Sequence, residues 1–110
     1  EITVANHIQA VIDGIDLQAD EGILSHKEGV DLMPANIDLA SMEMGIFMAM
    51  SREQILNTWL SGIKDNYDYV LIDCAPTLGI LPVNAFVASD SVQLSEMVTF
   101  AVSLLRSEPV

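Results

Sequence analysis

The sequence predicts an α/β fold of three layers, in which helices flank a mostly parallel sheet. Residues 69–72 form an unbroken apolar run rich in β-branched and aromatic side chains, and residues 30–33 form a shorter run between Gly29 and Pro34. Such short runs are typical of strands. Segments whose apolar residues have helical spacing precede and follow both runs. Strands separated by helices in this way favour a parallel sheet covered on both faces.

The size of the chain limits it to one domain. Its 110 residues are enough for one core, and no apolar run approaches the roughly 20 residues that span a bilayer. We therefore expect a soluble protein with no membrane partner. The single cysteine, Cys74, fits a reducing compartment, so we expect the cytoplasm. The sequence opens on Glu1 rather than Met, so we expect residues 1–110 to be a single domain truncated at both ends.

The charge balance argues against direct contact with nucleic acid. Sixteen acidic residues face four basic ones, which gives a net charge of -12. Because Lys and Arg supply most contacts to phosphate backbones, DNA binding by this segment is not expected. Contact with DNA would require regions outside it.

The first elements follow from periodicity. One helix is predicted over residues 3–14, since Val4, Ile8, Val11, Ile12 and Ile15 share a face and Gly14 lies where the helix would end. Residues 16–29 are acidic and contain two glycines, so they are predicted to form a loop. Residues 30–33 then form a strand.

The central part of the chain predicts two helices. Residues 39–50 read as a short, mostly buried helix interrupted by Gly45, whose methionines fill the core. The alternative is an adaptable binding face. A second helix follows, with a capping box from Ser51 to Gln54 and a staple of Met50 on Ile55. Its buried stripe is Ile55, Leu56, Trp59, Leu60 and Ile63.

The last third predicts a helix, a strand and another helix. Pro82 suits the first turn of a helix over residues 81–88. Residues 91–94 suit a short strand. Behind a possible cap at Ser95, the apolar spacing from Met97 to Leu105 predicts a closing helix.

Chemistry is predicted where the strand of residues 69–72 ends. Asp73 follows it directly, and the next turn contains Pro76, Thr77 and Gly79. Ligands of open parallel sheets bind beyond the carboxyl ends of strands. A carboxylate there can hold magnesium-bound water, while backbone amides of the turn face a terminal phosphate. On spacing alone, the alternative remains open that Asp73 only caps the next turn.

A resemblance extends this interpretation. The run YDYVLIDCAPTLG at residues 67–79, with residues 83–85 and 88–92, resembles the second signature block of the ParA/MinD (Soj-like) family of partition ATPases. Upstream, residues 29–39 and 50–53 look like the preceding strand and helix start of that family. The resemblance covers residues 29–92 well and the flanks loosely.

The resemblance implies a partial P-loop NTPase fold and a role for four residues. Asp73 corresponds to the catalytic, metal-side aspartate, and Pro76, Thr77 and Gly79 to the turn that contacts the nucleotide. Family members use ATP and magnesium, form homodimers, and are stimulated by a ParB-like partner protein during plasmid or chromosome partitioning.

Two departures shape the expected function. No Gly-x-x-x-x-Gly-Lys-Ser/Thr loop surrounds Lys27 or Lys64, and residues 93–97 differ from the usual strand after Val92. The chain is therefore predicted to be the central segment of a ParA-type ATP hydrolase, active with ATP and magnesium only in the intact protein. Neither activity nor bound nucleotide is expected of these 110 residues. The alternative is a non-enzymatic acidic α/β module that binds a protein partner on the same scaffold.

Overall fold

The computed structural model describes residues 1–26, 28–36, 38–73 and 79–91, together with the backbone of 101–105. These residues form two layers, with helices packed on one face of a four-stranded sheet. In chain order the elements are α1 (Val4–Asp13), β1 (Leu24–His26), β2 (Val30–Met33), α2 (Asp38–Ser41), α3 (Glu43–Met48), a 3-10 turn (Arg52–Gln54), α4 (Ile55–Leu60), a 3-10 turn (Lys64–Asn66), β3 (Tyr69–Asp73), α5 (Ile80–Ala88) and β4 (Ala101–Leu105).

The sheet differs from the mostly parallel one that the sequence predicts. Its order is β1-β2-β4-β3, and all three pairs of neighbours are antiparallel. Because β2 and β3 each pair antiparallel with β4, they run in the same direction, but β4 lies between them. The closing helix predicted through Leu105 is thus wrong for residues 101–105, since so short an apolar run does not distinguish a helix from a strand by periodicity.

Helices cover one face of β3, although its continuous apolar run predicted two covered faces. Val70 and Ile72 pack against the core, whereas Tyr69 is 62% and Leu71 57% exposed. On β2, Met33 is buried in the same way and Leu32 is exposed. The described helices therefore leave one side of the sheet open, and the third predicted layer is not found among the described residues.

Helix α1 confirms the prediction from periodicity. The Thr3 amide donates to Asn6 Oδ1 over 2.8 Å at its beginning, and Gly14 ends it in the left-handed conformation with φ of 68°. Val4 and Ile8 are buried in the core, while Ile15 is exposed beyond the helix end. The predicted loop after it contains β1.

The buried stripe of α4 is confirmed, but its predicted cap is wrong. All five predicted residues of the stripe are buried, although Ile63 lies beyond the end of α4 at Leu60. Ser51 lies in the left-handed region with φ of 52° and its side chain makes no capping hydrogen bond, so α4 begins at Ile55 after a 3-10 turn. Met50 is 94% exposed and cannot staple Ile55. A side chain from α5 caps α4 instead, as described below.

The methionine run forms two short helices rather than one buried helix. Helix α2 ends at Ser41 and α3 begins at Glu43. Ile46 is fully buried, but Met44, Phe47 and Met48 are exposed. One turn of α3 therefore reaches the core, and its other side faces solvent. Helix α5 appears as predicted, with Pro82 in its first turn. The predicted strand at residues 91–94 and the cap at Ser95 lie outside the described residues, Ser91 excepted.

Candidate functional site

Asp73 ends β3, at the position that the sequence predicts for the site. It is half-buried and lies opposite Ala101 of β4. Side chains alternate along a strand, so Asp73 shares the face of Tyr69 and Leu71 rather than that of Val70 and Ile72. The strand thus presents a carboxylate at its carboxyl end, on the side that the helices leave open.

Gly79 stands at the other end of the predicted turn and precedes α5. It is half-buried, and its carbonyl accepts a hydrogen bond from the Val83 amide over 3.4 Å. Its φ of 174° is extended backbone, so conformation alone does not demand glycine. Pro76 and Thr77 lie outside the described residues, and their roles stay predictions.

Space, rather than backbone angle, restricts Gly79. A Cβ at this position would lie 2.8 Å from Glu43 Oε2. Glu43 is the first residue of α3 and is half-buried. Glu43 is not among the residues that the sequence pattern predicts for the site. The one feature that could have indicated it is that Glu43 is an acidic residue within the otherwise apolar run of residues 39–50.

Asn84 fixes the helix that follows the turn. It is 2% exposed in α5. Its Oδ1 accepts from the Leu56 amide over 3.0 Å, and its Nδ2 donates to the carbonyls of Arg52 at 2.8 Å and Ile80 at 2.9 Å. Through these bonds α5 caps the beginning of α4, so the position of α5 relative to the core is set by polar contacts as well as by packing.

His7 is held by structural contacts. Its Nε2 lies 2.7 Å from the Glu21 carbonyl oxygen, and its ring stacks on Trp59 with centroids 5.2 Å apart. Since a carbonyl oxygen can only accept, Nε2 is the donor. Trp59 Nε1 donates to the Ala19 carbonyl over 2.9 Å. These two rings tie the acidic loop to α1 and α4. Within the described ranges, no group of three or more His, Cys, Asp or Glu is placed to hold a metal ion.

None of the described helices is both long enough and apolar enough to cross a bilayer.

Comparison with known proteins assigns the family. The family model described as an AAA domain matches residues 3–103. Among curated proteins, the sporulation initiation inhibitor protein Soj of Bacillus subtilis is 49% identical over 65 residues, which are 59% of this chain and 26% of Soj. The chain belongs to the ParA/MinD-like family of partition ATPases.

Other relatives agree with this membership in the ParA/MinD-like family. The chromosome partitioning protein ParA of Caulobacter vibrioides is 39% identical over 75 residues, covering 66% of this chain and 28% of that protein. An uncharacterized protein of Pseudomonas putida is 47% identical over 68 residues, covering 62% and 26%. The chain thus spans about a quarter of the length of these relatives. No solved structure gives a significant match.

Membership in the ParA/MinD-like family implies the P-loop NTPase fold, of which the described residues are a part. The family also implies nucleotide and magnesium. Asp73 fits the metal side of such a site, because Mg²⁺ keeps most of its water ligands and takes only one or two carboxylates from the protein. A single carboxylate at the end of a strand supplies that kind of ligand.

Proposed function

We propose that the chain is the central segment of an ATP- and magnesium-dependent partition ATPase that segregates chromosomes or plasmids. The observation that carries the proposal is that β3 ends in a carboxylate, that of Asp73, and that α5 follows at Ile80, directly after Gly79. Membership in the family and the names of the relatives Soj and ParA support it.

In this proposal each predicted residue has a task at the carboxyl edge of β3. A bound nucleotide with magnesium would supply the phosphoryl group for transfer to water. Asp73 is the residue whose carboxylate would hold the magnesium. Pro76, Thr77 and Gly79 shape the turn whose backbone amides face the terminal phosphate, and Asn84 holds the following helix in place. This segment would therefore contribute to catalysis by orienting the reacting groups and by stabilising the charge of the transition state.

The partners follow from the same membership. We propose that the intact protein forms a homodimer, is stimulated by a ParB-like protein and works in the cytoplasm. Since this segment carries four basic residues against sixteen acidic ones, contact with DNA falls to regions outside it.

Replacing Asp73 by Ala in the protein as its gene encodes it tests the proposal. Magnesium-dependent ATP hydrolysis should fall at least about 100-fold, the loss that removal of one transition-state contact commonly causes. The circular dichroism spectrum should not change, because the side chain lies at a strand end and outside the core cluster. Residues 1–110 alone should show no turnover.

The matched control is Asp90→Ala, which removes an exposed aspartate just after α5 and should leave hydrolysis unchanged. Undiminished hydrolysis in Asp73→Ala would move the metal role to another residue. Turnover by residues 1–110 alone would contradict the need for a separate phosphate-binding loop.

The exposed side of α3 supports a second candidate function, a non-enzymatic acidic module that binds a protein partner. Met44 is 70% and Met48 75% exposed, and flexible methionines are common on adaptable binding surfaces. The coding sequence upstream of Glu1 separates the two candidates. A Gly-x-x-x-x-Gly-Lys-Ser/Thr loop encoded in frame there would eliminate the module, and a start codon there would favour it.

A further inference from the structure

An exposed apolar surface lies along the outer side of α3. Met44 is 70%, Phe47 52% and Met48 75% exposed, and Met50, just beyond the end of α3, is 94% exposed. Residues three and four apart on a helix are neighbours, so the side chains of Phe47 and Met48 lie beside that of Met44. These four residues are called the methionine surface below. The described residues leave it open to solvent.

Arg52 lies over this surface and is held there at both ends. Its Cζ is 4.5 Å from the centroid of the Phe47 ring, and its Nη1 donates to the Phe47 carbonyl over 3.3 Å. Its own carbonyl accepts from Asn84 Nδ2 over 2.8 Å, which fixes its backbone against α5. The guanidinium group is therefore positioned before a partner arrives, so that little conformational entropy remains to be lost on binding.

Helix capping explains only one of these contacts. The Phe47 carbonyl belongs to the last turn of α3, where basic side chains often donate to carbonyls that lack a partner in the helix. A guanidinium has five N–H donors, and this bond uses one of them. No carboxylate in the described part of the chain forms an ion pair with Arg52. Donors thus remain for a carboxylate from elsewhere.

Composition and charge decide what kind of partner fits. Methionine, aromatic residues and arginine are the residues enriched where proteins bind each other, and flexible methionines adapt to the apolar side of a helix. A carboxylate can pair with a guanidinium through two parallel hydrogen bonds. Because the chain has a net charge of -12, a strongly acidic partner would be repelled. The fitting partner is therefore mostly apolar on its contact side, with one carboxylate for Arg52.

We infer that Arg52 and the methionine surface form a docking site for an amphipathic helix of a partner protein. The apolar side chains of that helix pack on the methionines, and one of its carboxylates pairs with Arg52. The inference goes beyond the proposed ATPase, because neither Arg52 nor Phe47 belongs to the candidate nucleotide site. It holds with or without ATP hydrolysis.

The test uses three synthetic helical peptides, about four turns long. They share one leucine face and differ only at one position within it, which is Glu, Gln or Lys. The protein as its gene encodes it, labelled at the methionine methyl groups, is titrated with each peptide by NMR without nucleotide. The Glu peptide should shift the signals of Met44 and Met48 but not that of the buried Met33. It should bind about tenfold more tightly than the Gln peptide, and the Lys peptide most weakly.

Arg52→Gln removes the charge and keeps the backbone carbonyl that Asn84 binds. In this variant the Glu peptide should lose its tenfold advantage over the Gln peptide. The matched control is Lys64→Gln, which removes the same charge from an exposed residue in the 3-10 turn after α4 and should keep the advantage.

Several results would overturn the inference. They are equal affinities of the Glu and Gln peptides for the wild type, the same advantage in Arg52→Gln, tighter binding of the Lys peptide, and unshifted Met44 and Met48 signals with every peptide. A nucleotide-free wild-type dimer that Arg52→Gln converts to monomers would identify a second copy of the chain as the occupant and overturn the choice of partner. Each of these results would leave the proposed ATPase standing.

Discussion

Asn84 gives the sharpest test of how α5 is fixed against the beginning of α4. Its side chain is 2% exposed and joins three backbone groups from two parts of the chain. Replacement by Ala removes the acceptor of the Leu56 amide and the donor to the Arg52 carbonyl. The Leu56 amide lies at the beginning of α4, where no carbonyl of its own helix can accept from it.

The expected cost follows from these contacts. Leu56 is 1% exposed, so its amide would be buried without a partner, at a cost of about 1–3 kcal/mol. The bond to the Arg52 carbonyl adds about 1 kcal/mol, because Arg52 is exposed and water can replace the lost donor. The bond to Ile80 adds little, since that carbonyl lies within α5. Asn84→Ala should therefore lower the free energy of unfolding by about 3 kcal/mol.

Urea unfolding followed by fluorescence measures this loss. Trp59 is 4% exposed in the folded state and serves as the reporter. The control is Asn57→Ala on α4. Its amide nitrogen donates to the exposed Gln54 side chain over 3.2 Å, so the expected loss is about 0.5 kcal/mol or less. A loss in Asn84→Ala no larger than that in Asn57→Ala would refute the capping role.

Two further predictions concern glycines. Gly14→Ala should lower the free energy of unfolding by about 1 kcal/mol, because φ is 68° there. Gly45→Ala should raise it by a similar amount, because alanine favours the helix α3 more than glycine does. Both sites have open space around them, so effects of the same sign in urea unfolding would refute this explanation. Gly79→Ala should lower the free energy of unfolding by about 0.5–1 kcal/mol, because the new Cβ pushes aside the Glu43 carboxylate. In a protein that already carries Glu43→Ala, the same substitution should have no effect. An equal loss in both proteins would show that the two residues do not interact.

The sequence predicts best what is decided within one element. The apolar periodicity of α1 and α4 identified their buried faces, because each face is set by residues three and four apart. The predicted cap of α4 was wrong because the actual cap comes from outside the helix and its flanking residues. Ser51 and Gln54 have the local pattern of a capping box, yet the acceptor at the beginning of the helix comes from Asn84, far along the chain. A long-range partner that satisfies the same amide overrides the local one.

The sheet illustrates the same limit. An unbroken apolar run in β3 predicted cover on both faces, but apolar residues also remain exposed on many folded surfaces. Leu24 pairs with Leu32 in the register of β1 and β2, and Leu71 lies in the same row two strands away. The exposed residues of the run therefore belong to an apolar, open face of the sheet. They do not indicate a second helical layer in the described residues.

At the candidate site, the strand end was predictable and its surroundings were not. Asp73 is fixed by the strand that precedes it, so its place follows from a local pattern. Glu43 reaches Gly79 across the space between α3 and α5, and nothing in the spacing of either segment indicates that contact.

The two residues that flank residues 74–78 belong to different layers. Asp73 follows the alternation of Tyr69 and Leu71 on the open face, whereas Gly79 directly precedes α5, a helix of the layer that covers the other face. A ligand that contacts both Asp73 and Gly79 is therefore expected at the carboxyl edge of β3, where both layers can be reached. The same edge is where parallel α/β sheets bind their ligands, so the antiparallel β4 changes the pairing of the strand without changing where a ligand can meet it.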